Sequence, residues 1–89
     1  MKENLLKIIN HYGVLPQLKH FNSEVFELTE AIVKHEALGC EYKHITEELA
    51  DCLVMIDQFR LYYDIDIEEL KAVMEFKIDR QLDRMKEEK

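Results

Sequence analysis

Two glycines and one proline in 89 residues leave few places where the chain can reverse sharply. A turn-rich β fold needs many more of both, so long helices with few breaks are expected. Cysteine is equally scarce. Cys40 falls in a loop and Cys52 inside a helical apolar pattern, where it reads as a small core residue. Two such cysteines make no disulfide framework, and a reduced, cytoplasmic setting is expected. No run of 18 apolar residues exists to span a membrane, and the opening MKENLLKIIN lacks the apolar stretch of a signal peptide. Positive charge is short as well. Twelve bases face 19 acids, for a net charge of −7, which disfavours nucleic acid as a partner. The acidity leaves phosphate-bearing ligands open, because carboxylates can hold Mg²⁺ and the metal then attracts the phosphates. There is no Gly-rich phosphate loop and no Ser-His-Asp or Cys-His set.

What the chain does have is periodic apolar sequence, 47% of the whole. The reading is one all-α domain over residues 1–89, a four-helix bundle with helices at about 3–12, 16–38, 41–63 and 67–86. Leu5, Leu6, Ile8, Ile9 and Tyr12 give the first helix its face, and Gly13 stops it in a left-handed conformation. Pro16 suits the first turn of the second helix. There Leu18, Phe21, Val25, Leu28 and Ile32 keep the spacing of a buried stripe, and Gly39 ends it. Ile45, Leu49, Cys52, Leu53, Ile56, Phe59 and Tyr63 mark the third helix. Asp66, with Glu69 three residues on, has the arrangement of a capping box at the start of the fourth. A bundle this small leaves apolar surface over, so self-association is expected.

The chemistry concentrates between Ser23 and Asp57. Glu24-Val-Phe-Glu27 and Glu48-Leu-Ala-Asp51 each place two carboxylates three residues apart, on one face of a helix. Side by side, the two helices would gather four acids, and clustered acids call for a cation. Asp51, within Leu49-Ala50-Asp51-Cys52-Leu53, is poorly placed for a merely solvated charge. The convergence sets a condition on the third helix. Thr46 is one candidate N-cap, but a start there would leave the acidic pairs roughly 13 Å apart along the axis, at about 1.5 Å per residue. A start near Glu41 brings them close to one level. His20 lies one turn before Glu24 and reads as a surface histidine within reach of a ligand. Glu41-Tyr42-Lys43-His44 is a single Glu-x-x-His unit, where a di-iron bundle needs two. Tyr62 and Tyr63 read as core or subunit contacts.

The order Glu-x-x-Glu, about twenty residues, then Glu-x-x-Asp, with the wording SEVFELTEAI and ITEELADCLVMID around it, resembles the MazG-like nucleotide pyrophosphohydrolases. These belong to the all-α nucleoside triphosphate pyrophosphatases, together with dimeric dUTPases, and the likeness runs from about Gln17 to Arg84. It implies hydrolysis of a nucleoside triphosphate to a monophosphate and pyrophosphate. Glu24, Glu27, Glu48 and Asp51 would be the catalytic and metal-binding residues, with Mg²⁺ as cofactor and Mn²⁺ as its substitute. One glutamate, Glu27 by choice, would orient or deprotonate the attacking water instead. Lys77 and Arg80, followed by Arg84, match a basic pattern that contacts phosphates, although Glu75 stands where longer relatives carry asparagine. Gln17 would contact a base at the pocket mouth or simply begin the helix. A homodimer or homotetramer is implied. The rival reading is a non-catalytic helical module for assembly or regulation, its acids a vestigial cluster.

Overall fold

The computed structural model describes residues 1–88, and among them it contains four α-helices and no strand: α1 (Lys2–Tyr12), α2 (Val14–Leu38), α3 (Lys43–Tyr62) and α4 (Ile67–Glu87). The all-α, four-helix class is the one the periodicity predicts, and each boundary lies within two residues of its expected place.

The breaks follow from single residues. Gly13 has φ 93° and ψ 157°, a region essentially closed to residues with a Cβ. Its φ is positive as expected, but its ψ is not that of the left-handed helix. This lets α2 restart at once: Gly13 N–H donates to the Ile9 carbonyl and its own carbonyl accepts from Gln17 N–H. Pro16 then falls at the third position of α2, where a backbone N–H would have no helical partner in any case. Gly39 ends α2 in the left-handed conformation. The α3–α4 break is a Schellman motif. Asp64 takes φ 54°, Ile65 N–H reaches the Arg60 carbonyl at 3.0 Å, and Asp64 N–H reaches that of Leu61 at 3.1 Å. Asp66 is the N-cap of α4, but its side chain makes no capping bond, so the capping box read from Asp66 and Glu69 is not formed.

α2 and α3 pack as the main antiparallel pair, and α1 lies across them, mostly on α3. The centre of this three-helix unit is Ile9, Cys52 and Met55, joined by two buried glutamines, Gln17 and Gln58. Phe21 meets Phe59 edge to face at 5.8 Å. After Val14, the least exposed residues of α2 are Gln17, Phe21, Glu24, Leu28, Ala31 and His35, and those of α3 include Ile45, Glu48, Cys52, Met55 and Phe59. The alternating three- and four-residue steps are those of a coiled-coil seam. The seam is therefore rotated from the predicted stripe. Leu18, Val25 and Ile32 stand outside it and Glu24 stands within it.

α4 packs against none of the other helices. The radius of gyration is 16.1 Å, against about 12 Å for a closed 89-residue domain.

Candidate metal and phosphate site

Glu24 and Glu48 occupy seam positions that an aliphatic residue would normally fill, and Glu27 flanks them. One carboxylate oxygen from each of the three lies within 4.8 Å of the others. The early start of α3 makes this possible. Glu27 is 11 residues before the end of α2 and Glu48 is 5 after the start of α3, a mismatch of about 9 Å at 1.5 Å per residue. The connection Gly39–Tyr42 climbs that distance, since four extended residues reach about 13 Å. Thr46 is inside the helix and caps nothing.

Asp51 stands beside Glu24 on the wall of the same pocket, outside the closest set of three. Its neighbour His20 places Nε2 3.2 Å from Glu24 Oε1. The other oxygens of the two seam acids, Glu24 Oε2 and Glu48 Oε2, are buried without any hydrogen-bond partner. A buried polar atom left unpaired is costly, and here two belong to residues of the clustered set. The electrostatics reflect this. Partial burial raises the Glu24 carboxyl above its ordinary range, and Asp51 and Glu27 raise it further, while His20 opposes them. Glu48 is likewise raised, by desolvation first and then by Glu27, Asp51 and Glu24. Burial also pushes the Cys52 thiol up, as expected of a structural cysteine. Cys40 is exposed, and both cysteines are free.

The acids lie between two concavities along the α2–α3 seam. One, of about 510 Å³, is lined by Tyr12, Gln17, His20, Glu24, Asp51 and Gln58 among others. The other holds Glu27, Lys34, Cys40, Glu41, His44 and Glu48. The first is of a size that takes small molecules. Its floor is a feature that sequence reading missed. Gln17 Nε2 donates to Gln58 Oε1 at 2.8 Å, with the two side chains 6% and 1% exposed. Gln17 is thus a buried residue on the pocket wall, in the first turn of α2. Gln58 had one signal available in the sequence: it follows Met55 by three, a polar residue among the core positions of α3.

Lys77 and Arg80 are not brought to the acids within one chain. Both sit on the detached α4, where the Arg80 guanidinium lies 5.9 Å from the Phe76 ring centre. Tyr62 and Tyr63 pack on each other at 5.1 Å and remain largely exposed, outside the core. No family model, curated protein or solved structure matches the chain. No helix among the described residues is long and apolar enough to cross a membrane.

Proposed function

We propose that this chain is a Mg²⁺-dependent nucleoside triphosphate pyrophosphohydrolase of the MazG-like kind, working in the cytoplasm as a homodimer or homotetramer. The observation that carries the reading is the partnerless pair of buried oxygens on Glu24 and Glu48, set in a three-carboxylate cluster at the edge of a ligand-sized pocket. Hard oxygen donors that repel one another fit Mg²⁺, and Mn²⁺ in its place. When bound, the metal supplies neutralisation of the phosphate charge and acidification of the attacking water.

The side chains divide the remaining work. Glu24 and Glu48 would hold the cation, with Asp51 beside Glu24. Glu27 is the most exposed of the three clustered acids, so it can take the water's proton and pass it to solvent. The water oxygen forms a new bond to phosphorus as the anhydride bond between the α and β phosphates breaks, giving a monophosphate and pyrophosphate. Gln17, on the pocket wall with its Nε2 already bonded to Gln58, would meet a nucleobase only through its side-chain carbonyl. Lys77 and Arg80 serve the phosphates only if α4 is carried to the site.

The rival reading, a helical assembly module with a structural acidic cluster, is favoured by one observation: the basic residues of α4 stand away from the acids. Incubation with a panel of ribo- and deoxynucleoside triphosphates and Mg²⁺, followed by a pyrophosphate assay, separates the two. Release from at least one nucleotide is expected, together with Mg²⁺ binding by calorimetry and loss of turnover in Glu48→Gln with the helical content intact. No product and no metal binding would leave only the assembly module.

A further inference from the structure

We infer that His35 is a positioning residue for the acidic cluster: its bond to the Cys40 carbonyl fixes the level at which α3 starts, and so brings Glu48 to Glu27 and Glu24. His35 is the last seam position of α2, following Glu24, Leu28 and Ala31 on one stripe. A histidine in the last turn of a helix is favoured by the helix dipole and needs no further role. This one reaches past its own helix. Its Nδ1 donates to the carbonyl of Cys40, two residues beyond the end of α2 at Leu38. Its ring meets that of Tyr42 edge to face, with centroids 6.4 Å apart. Tyr42 is the N-cap of α3, and its carbonyl accepts from Ile45 N–H at 2.9 Å and Thr46 N–H at 3.3 Å. His35 thus ties the last turn of α2 to the residue from which the α3 ladder begins.

The connection needs such a tie. It must climb about 9 Å, yet four extended residues reach about 13 Å. Length alone therefore leaves slack, and α3 could start higher or lower. Three contacts remove the slack. Gly39 turns the chain with φ 72°. Cys40 N–H donates to the Lys34 carbonyl at 3.3 Å, and His35 takes the Cys40 carbonyl. Both backbone polar groups of Cys40 are then held by α2, and Glu41 alone lies between Cys40 and the Tyr42 ring contact. The Gly39 and Lys34 contacts belong to the helix end and form wherever α3 begins. The His35 contacts are the ones that reach across.

Packing does not set the level by itself at this end of the pair. The buried residues of α2 and α3 are Gln17, Cys52, Met55 and Gln58, and all lie on the far side of Glu27 and Glu48 from the connection. On the near side the seam holds Leu28, Ala31, His35 and Ile45, each only partly buried. The cluster tolerates little movement, because its oxygens lie within 4.8 Å of one another and a shift of about 3 Å is the rise of only two residues. The other contact of His35, Nε2 at 3.9 Å from the exposed Glu36 carboxylate, adds little. Loss of the Cys40 bond should therefore loosen the cluster without unfolding the chain. Its effect on a cation rests on the proposed function, whereas the level of α3 does not.

Two substitutions separate the bond from the ring. His35→Phe keeps a ring beside Tyr42 and loses the donor. His35→Asn loses the ring and keeps a donor nitrogen at the same distance in bonds from the backbone. The three residue types have similar helix propensity. Spin labels at Val33→Cys and Ala50→Cys read the level of α3 in the full chain, in chelator. Cys40→Ser removes the exposed thiol and keeps the carbonyl, while buried Cys52 escapes labelling. Dilution with unlabelled chain restricts the reading to pairs within one chain. The parent and His35→Asn should give one narrow distance, and His35→Phe a distance shifted or broadened by about 3 Å or more. Mn²⁺ affinity of the unlabelled proteins, measured where circular dichroism shows each variant folded, should fall about fivefold in His35→Phe, the worth of one hydrogen bond, and by less than about twofold in His35→Asn. An unchanged label distance in His35→Phe, or the same behaviour of both variants, would overturn the inference. A parent chain that binds no Mn²⁺ would remove the cation reading, and the label distance alone would then decide the role of His35.

Discussion

Replacing Glu24 by glutamine should make the metal-free protein more stable. Glu24 holds its charge at a seam position with its side chain 12% exposed, and desolvation is the main reason its carboxyl is raised. Glutamine is nearly the same size, removes the charge, and can still bond to His20. The repulsion relieved can be bounded. Two charges at the 4.8 Å outer limit of the cluster cost about 0.9 kcal/mol in a water-like medium and about 3.5 at an effective dielectric of 20. The cluster opens to solvent on one side, so the lower end applies and the gain is about 1 kcal/mol. For a domain of this size that raises the melting temperature by about 4–8 °C. The assay is thermal unfolding in chelator at pH 7.5, at fixed protein concentration so that any association contributes equally to both midpoints. Excess Mg²⁺ should then reverse the order: wild type gains about 2.7 kcal/mol at a hundredfold excess over its dissociation constant, and the variant gains little. A lower melting temperature for the variant in chelator, or equal stabilisation of both proteins by Mg²⁺, would refute the reasoning.

The same physics sets a pH dependence. The folded-state carboxyls of Glu24 and Glu48 lie above the unfolded value of 4.5, so the folded chain holds more protons than the unfolded one above that pH. Their contribution to stability is complete below pH 4.5 and is lost as pH rises through the folded values. The urea midpoint of the Glu24→Gln, Glu48→Gln protein, minus that of wild type in chelator, should therefore grow from pH 4.5 towards neutrality; a flat difference would show that the acids are not coupled. Gln58→Leu removes the strong acceptor of Gln17 Nε2 and leaves a buried amide with only the weak Met55 Sδ acceptor at 3.9 Å, at a cost of about 1–3 kcal/mol, measurable by urea unfolding. Gln17→Leu with Gln58→Leu should recover much of that loss, because neither amide is then stranded.

Helix number and helix ends were legible because they depend on local chemistry. Gly13, Gly39 and Pro16 act within a few residues of themselves. The start of α3 was legible for a different reason: acids on two helices come nearer to one level the earlier α3 begins, and it begins at Lys43, before Thr46. The orientation of α2 was not. Leu18, Val25 and Ile32 and the true seam differ by a rotation of one residue, and an apolar count puts the leucine, valine and isoleucine inside. The structure instead turns Gln17 and Glu24 inward. A polar pair 41 residues apart, Gln17 with Gln58, has no signature within either helix, and neither glutamine shows its partner until the fold does.

That rotation bears on both readings of the chain. An α2 turned to bury Val25 and Ile32 would take Glu24 out of the seam, relieve its charge, and close the apolar face on the reverse side. The observed orientation gives up aliphatic burial to keep two amides, and one oxygen from each of two half-buried carboxylates, out of water in a small core. Stability alone does not favour that exchange, since a buried unpaired carboxylate oxygen costs more than a leucine would. Two things can offset it: a cation for the acids, and a second copy for the displaced aliphatic side chains. The two are separable in principle, because a cation would act on one face of the α2–α3 pair and a second copy on the other. They are linked through the rotation of α2, so the residues that expose Leu18, Val25 and Ile32 to a partner are set by the same turn of the helix that aims Glu24 at Glu48.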